Sequence, residues 1–187
     1  DYIYDYDPTY PPYIVRTDLD DLLASGDRVD TLDDYRRRYD VYHRDEDIQS
    51  LRTAAPLIAG WDEHEFANDA WIDGAAAHDD GVDGPWSDRK RSAALAYEEW
   101  LPIRPTHYAL ERRSLRRKTV DASDVGIGSD DAPRYNIERV FDFGRLMRLV
   151  MVESRATGRS NPYTDGFGWG ENLNKIRAIL EATPGAD

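Results

Sequence analysis

Leu57-Ile58-Ala59-Gly60-Trp61-Asp62-Glu63-His64-Glu65 is the stretch on which the fold assignment turns. The apolar part, 57–61, reads as a short buried strand. It delivers the chain directly into three carboxylates and an imidazole. Polar, ligand-capable side chains at a strand's C-terminal end are the usual arrangement in open α/β sheets, where ligands gather. The elements on either side agree with a mixed helix and strand protein.

Upstream, Asp1 to Tyr4 reads as the end of a strand, followed by a Tyr- and Pro-rich loop to residue 16 that no helix can span. Thr31 can cap a helix to about Arg44, with Tyr35, Tyr39 and Tyr42 on one buried face. Asp33 with Arg37, and Asp34 with Arg38, are spaced as i,i+4 ion pairs on the other side. A second helix is expected from Asp47 to about Thr53, ended by Pro56. Downstream, 72–84 reads as an exposed Gly-, Asp- and Ala-rich loop. Pro85 suits the first position of a helix to Leu101, with Trp86, Ala93, Ala94, Tyr97, Trp100 and Leu101 on one face. Arg89-Lys90-Arg91 near its start and Glu98-Glu99 near its end run against the helix dipole. Tertiary partners must outweigh that inversion. Residues 121–134 read as a mobile loop. Tyr135 to Phe143 alternates as a strand, Gly144 turns it, and Leu146 to Val152 returns as a strand buried on both faces. A loop over 158–170 precedes a last amphipathic helix carrying Leu173, Ile176, Ile179 and Leu180. The class is α/β, or α+β.

Composition narrows the function. The chain has 187 residues and a formal net charge of −13, with 33% charged and 40% hydrophobic residues. That balance suits a folded domain rather than disorder. It also argues against binding along a nucleic-acid backbone, which needs a basic footprint. No apolar run is long enough for a membrane-spanning helix. With no Cys, disulfides, thiolate metal sites and a Cys nucleophile are excluded within these residues. The chain opens at Asp1 in mid-element, so an interior fragment is expected.

Asp62-Glu63-His64-Glu65 is the best local signal for chemistry. Carboxylates suit Ca²⁺, Mg²⁺ or Mn²⁺, and an imidazole adds affinity for iron or zinc. An acidic helix start, favoured by the dipole, is the competing reading. Asp1-x-x-Tyr4 could bring a carboxylate and a phenolate to one trivalent ion. His43-Arg44-Asp45 and Asp142-Phe143-Gly144 imitate kinase triplets without the required spacing or Gly-rich loop. No Gly-x-Ser-x-Gly elbow is present, and Gly126-x-Gly128 lacks a dinucleotide site's third Gly. His43, His78 and His107 read as surface or packing residues.

Taken in order, the motifs resemble one family. Asp1-Tyr2-Ile3-Tyr4-Asp5-Tyr6 is similar to the Gly-Asp-Tyr-Ile-Tyr-Glu-Tyr segment of the PhoD-like alkaline phosphatases, and 31–39 to the helix that follows it. Trp61 to Asp69 resembles Trp-Asp-Asp-His-Glu-Phe-x-Asn-Asp, and 86–104 the helix closing in Glu-Trp-Met-Pro-Ile-Arg. Glu153-Ser154-Arg155 stands where the family has Asp-Thr-Arg.

The resemblance implies a calcineurin-like metallophosphoesterase with a four-layer αββα core, of which 1–187 is a partial catalytic domain lacking N- and C-terminal portions. It implies metal-dependent hydrolysis of phosphate mono- or diesters with Fe³⁺ and Ca²⁺, usually after export. Asp1 would bridge two metals, Tyr4 would bind the ferric ion, and Asp62 and Glu63 would hold metal. Glu63, one methylene longer than the family's Asp, must retract to do so. His64 would contact phosphate or protonate the leaving oxygen. Arg155 would fork a phosphate or form a structural ion pair. With the upstream ligand and downstream segments missing, the isolated chain is expected to have little activity. Two competing readings are an acidic, Ca²⁺-dependent carbohydrate-binding module, with loop 6–13 and Trp169 as stacking platform, and a catalytically degenerate family member.

Overall fold

The computed structural model describes residues 1–5, 29–103, 137, 139–156, 159 and 161. The Pro/Tyr loop, the 121–134 loop, the last helix and Trp169 lie outside them.

Thr31 opens helix α1 (Leu32–His43) with a capping box. Its Oγ1 accepts the Asp34 N–H at 3.3 Å, and Asp34 Oδ2 accepts the Thr31 N–H at 3.0 Å. Two backbone donors that the first turn leaves open are satisfied reciprocally. Tyr35 and Tyr39 are fully buried and Tyr42 partly so. The ion pairs differ from the i,i+4 expectation. Asp34 serves the cap, and Arg38 is buried, donating to the Tyr4 carbonyl at 3.0 Å. Arg36 grips Glu99 with two bonds of 2.6 and 2.7 Å. Tertiary partners thus engage Arg36 and Arg38 beyond their own helix. Helix α2 (Glu46–Ala54) starts one residue before the expected position, because Asp45 caps it through Asp47 N and Ile48 N.

Residues 57–61 are not a buried strand. The backbone is irregular; Ala59 and Trp61 are buried, while Ile58 and Gly60 are exposed. Asp1 to Asp5 is likewise irregular, with a bend at Ile3. In the latter the backbone donors go to a side chain, Glu65, instead of a neighbouring strand. The 72–84 stretch is more ordered than its composition suggests. Trp71 bridges Gly74, Ala75 is buried, and a one-turn helix α3 spans Asp80–Asp83.

Helix α4 (Trp86–Trp100) follows Pro85, which sits at the N-cap, one position before the helix's first residue. Ala93, Ala94 and Ala96 face the core with Tyr97, and such small side chains let α1 and α4 approach closely. Tyr39 stacks on Trp100 at 6.4 Å and meets Tyr97 edge-on at 6.5 Å. The inverted charge pattern has a tertiary cause. Arg89 and Lys90 are buried and spend their donors on the core, Lys90 on the Ile72 carbonyl at 2.9 Å. Glu99 holds Arg36.

Strands β1 (Arg139–Phe143) and β2 (Met147–Met151) form an antiparallel hairpin with Phe141 opposite Leu149. Gly144 turns it at a φ of +59°, which glycine adopts without strain. Asp142 pairs with Arg148 across the strands at 2.5 and 3.0 Å, so its triplet is hairpin chemistry. The expected strand over 146–152 is not buried on both faces: Leu146, just before β2, is 96% exposed and Met147, its first residue, 53%. Only these two strands are paired among the described residues. The hairpin is tied to the core by Arg139, which donates to the Ala59 carbonyl, and by Glu153 beyond β2, whose Oε1 accepts the Trp61 indole N–H at 2.9 Å. The chain is therefore a mixed helix and strand fold.

Candidate metal centre

Glu65 builds the site. Its side chain is fully buried, and Oε1 accepts the backbone N–H groups of Tyr2 and Ile3 while Oε2 accepts that of Asp62 at 2.7 Å. A buried carboxylate is tolerable only when hydrogen-bonded, and these three donors meet that need. The consequence is topological. The opening segment is fastened to the turn at 62–65, and Asp1 arrives beside residues more than sixty positions away.

There the carboxylates of Asp1, Asp62 and Glu63 offer oxygens that all lie within 4.8 Å of one another. Burial raises Glu63 above the usual carboxylate range, and its hydrogen bond with Asp62 adds to the rise. Burial also opposes ionisation of Asp62, yet hydrogen bonds from Glu63 and Arg155 hold it below its ordinary value. Two neighbouring carboxylates competing for one proton lack positive charge. Arg155 supplies some: Nε lies 2.5 Å from Asp62 Oδ1, Nη2 2.8 Å from Glu63 Oε2, and Nη1 3.7 Å from Asp69 Oδ1. Asp69 adopts φ +55°, a left-handed conformation that Asp tolerates better than most residues. Glu63 Oε2 is buried without an aligned hydrogen-bond donor. A set of donors made only of carboxylate oxygens, one of them short of aligned hydrogen bonds, fits a hard cation.

His64 adjoins the cluster. Its backbone N–H points at Asp1 Oδ1 at 3.4 Å. The buried ring stacks obliquely on Tyr4, with centroids 4.5 Å apart, and Nδ1 lies 2.7 Å from Asp5 Oδ1. Asp5 Oδ2 in turn accepts from Asn68 N and from Arg89 Nη2, each at 3.3 Å. The two oxygens of Asp5 are thus divided, one for the imidazole and one for its own anchorage.

The expected site residues Asp1, Asp62, Glu63 and His64 therefore come together, with Arg155 bound to the acidic pair and Tyr4 packed on the imidazole. Sequence reasoning missed Asp5, Glu65 and Arg89. Asp5 had a signal, since the similar family segment carries Glu at that place. Arg89 had one in the unexplained charge inversion of its helix. Glu65 was hidden among its acidic neighbours. Glu153, at the family's Asp position, also accepts the Arg155 backbone N–H at 2.8 Å, so it supports Arg155 and Trp61 from below.

Comparison with known proteins gives the family. The chain is 31% identical over 104 residues to alkaline phosphatase D of Bacillus subtilis (strain 168), a match covering 56% of this chain and 17% of that protein. No solved structure matches. The family model described as PhoD-like phosphatase matches residues 1–184. The chain belongs to the PhoD-like phosphatase family, a family of phosphate-ester hydrolases.

Proposed function

We propose that this chain forms part of a metal-dependent phosphatase or phosphodiesterase, in which Asp1, Tyr4, Asp62 and Glu63 hold the metals and His64 serves the leaving oxygen. The observation that carries the reading is the convergence of the Asp1, Asp62 and Glu63 carboxylates, with His64 one residue away. Iron with calcium is the pair that family resemblance suggests; phenolate at Tyr4 suits the ferric ion. When bound, such cations polarise a phosphate ester and acidify water. The chain's own residues do the rest. Asp5 accepts the Nδ1–H of His64 whether the ring is neutral or charged, leaving Nε2 as the nitrogen that gives or takes a proton. Arg155 counters the carboxylates and, through its planar fork, can take a phosphate oxygen. Substrate anions then meet positive charge in an otherwise acidic protein.

Residues 1–187 are a partial catalytic domain on this reading, belonging to a four-layer core and to an exported protein. Glu63 reaches the cluster despite its extra methylene, which favours a working site over a degenerate one. The carboxylate convergence and the family match favour hydrolysis over carbohydrate binding, whose expected platform lies outside the described residues.

The test is Asp1→Ala in the full-length protein, assayed on a chromogenic phosphodiester with metal content measured alongside. We expect turnover to fall by about 10²-fold or more with loss of bound metal. An unchanged rate defeats the assignment. The isolated chain should turn over poorly; robust metal-dependent turnover by residues 1–187 alone contradicts the partial-domain reading.

A further inference from the structure

Arg89 lies on α4, outside the acidic cluster, yet it reaches His64 through one intermediary, Asp5. Its guanidinium has a 2%-exposed side chain and is shared among Asp5 Oδ2 at 3.3 Å, Asp30 Oδ1 at 3.2 Å, the Tyr35 hydroxyl at 3.2 Å and the Ala77 carbonyl at 2.8 Å. We propose that Arg89 is a positioning residue for His64, holding Asp5 so that the carboxylate keeps its other oxygen on the imidazole Nδ1. The proposal rests on the reading of His64 as the proton carrier.

The geometry supports it in three ways. Asp5 can turn away from His64 only by breaking the Oδ2 bonds to Arg89 and Asn68 N. The guanidinium is itself fixed, because a planar fork bonded in several directions has little freedom to follow a rotating partner. And a carboxylate as buried as Asp5 needs a fixed positive charge close by. Among the basic groups of α4, Arg89 is the one within bonding distance of Asp5, so a charge placed against the helix dipole serves the site instead of the helix.

The first readout is independent of catalysis. In the chain with ¹⁵N-labelled histidine, long-range ¹H–¹⁵N spectra report which ring nitrogen of His64 carries hydrogen. We expect Nδ1–H in the wild type. In Arg89→Gln the Nε2–H form should appear, and in Arg89→Lys, which keeps the charge without the fork, a smaller fraction of it. Ala93→Gly, a destabilising change in the same helix that touches none of these bonds, should leave the ring as in the wild type. If Arg89→Gln does not fold, Arg89→Lys decides. A folded Arg89 variant that keeps the wild-type ring tautomer of His64 overturns the proposal, as does an equal shift in Ala93→Gly.

The second readout uses the full-length enzyme. Arg89→Lys should lower kcat for an alkyl phosphate ester by about tenfold, with a much smaller loss for a dinitrophenyl ester, whose leaving group needs no proton. Equal losses on both substrates count against Arg89 as a positioning residue. Equal losses for His64→Ala instead defeat the underlying role of His64, and the two failures are distinguishable by the ring spectra.

Discussion

Glu65 shows how one side chain can substitute for a strand partner. Its two oxygens take three backbone donors from two segments, so its loss leaves buried N–H groups unpaired and frees the opening segment. An unpaired buried donor costs about 1–3 kcal/mol. Glu65→Ala should therefore destabilise the chain by ~3 kcal/mol or more, read from urea unfolding, and, on the proposed function, weaken metal retention because Asp1 is no longer held near Glu63. Glu65→Gln keeps the shape and one acceptor oxygen, and should recover part of the stability. A Glu65→Ala chain with an unchanged urea midpoint contradicts this account. The residue also marks a boundary of what sequence can reveal. In Asp62-Glu63-His64-Glu65 nothing distinguishes the acid that holds backbone from the acids that gather with Asp1. That division depends on which side of a turn each side chain leaves, and two of the three partners of Glu65, Tyr2 and Ile3, lie more than sixty positions away in the sequence.

Among elements, the helices were legible because their signals are local. Thr31 followed by an acid three residues later, and tyrosines spaced by one helical turn, need no distant partner to be read. The same capping box should be measurable: Thr31→Ala removes one reciprocal bond and should cost about 1 kcal/mol. Arg36→Ala, which breaks the Arg36–Glu99 pair between α1 and α4, should cost less than about 1 kcal/mol, because both side chains are 41% exposed. The two variants compared by urea midpoint test whether the cap or the interhelical ion pair secures α1; a larger loss in Arg36→Ala reverses the ranking. The failures were at extended segments. Residues 57–61 have strand composition, but a strand exists only when another strand takes its backbone bonds. Leu146 to Val152 was read as doubly buried from apolarity alone, whereas burial also needs a covering layer, and the hairpin presents Leu146 and Met147 outward. Periodicity reports a preference for cover, and cannot report whether cover is supplied.

For the molecule as a whole, the surplus of acid does not extend to the described interior, where Arg38, Arg89, Lys90 and Arg159 are buried together with Asp5, Glu65 and Glu153. Three of these guanidinium and ammonium groups have partners named above; their cost differs because arginine stays charged while lysine can release its proton. Stability should consequently depend on pH at both ends. His43 is lowered to about 4 by burial and by the Arg52 charge. Between pH 6.5 and about 4 the unfolded chain binds a proton that the folded chain does not, so this group erodes stability as pH falls through that window. Lys90 is lowered from 10.5 to about 8, chiefly by burial, against the opposing pull of Glu153 and Asp73. Below about 8 both states carry the proton and the full cost of burying the ammonium is present. From there to 10.5 only the unfolded chain carries it, and the free energy of unfolding rises with pH. A shift of that size corresponds to about 3 kcal/mol. Lys90→Met removes the titration without orphaning the Ile72 carbonyl, which still accepts the Trp86 indole N–H at 3.2 Å. The variant should therefore be more stable than the wild type near neutral pH, by up to ~3 kcal/mol, and the gap should close as the medium becomes alkaline. Urea unfolding of both chains across that range decides the matter: a gap that stays constant with pH means that Lys90 does not lose its proton in the folded state, and a less stable variant means that its bond to Ile72 outweighs the cost of its burial.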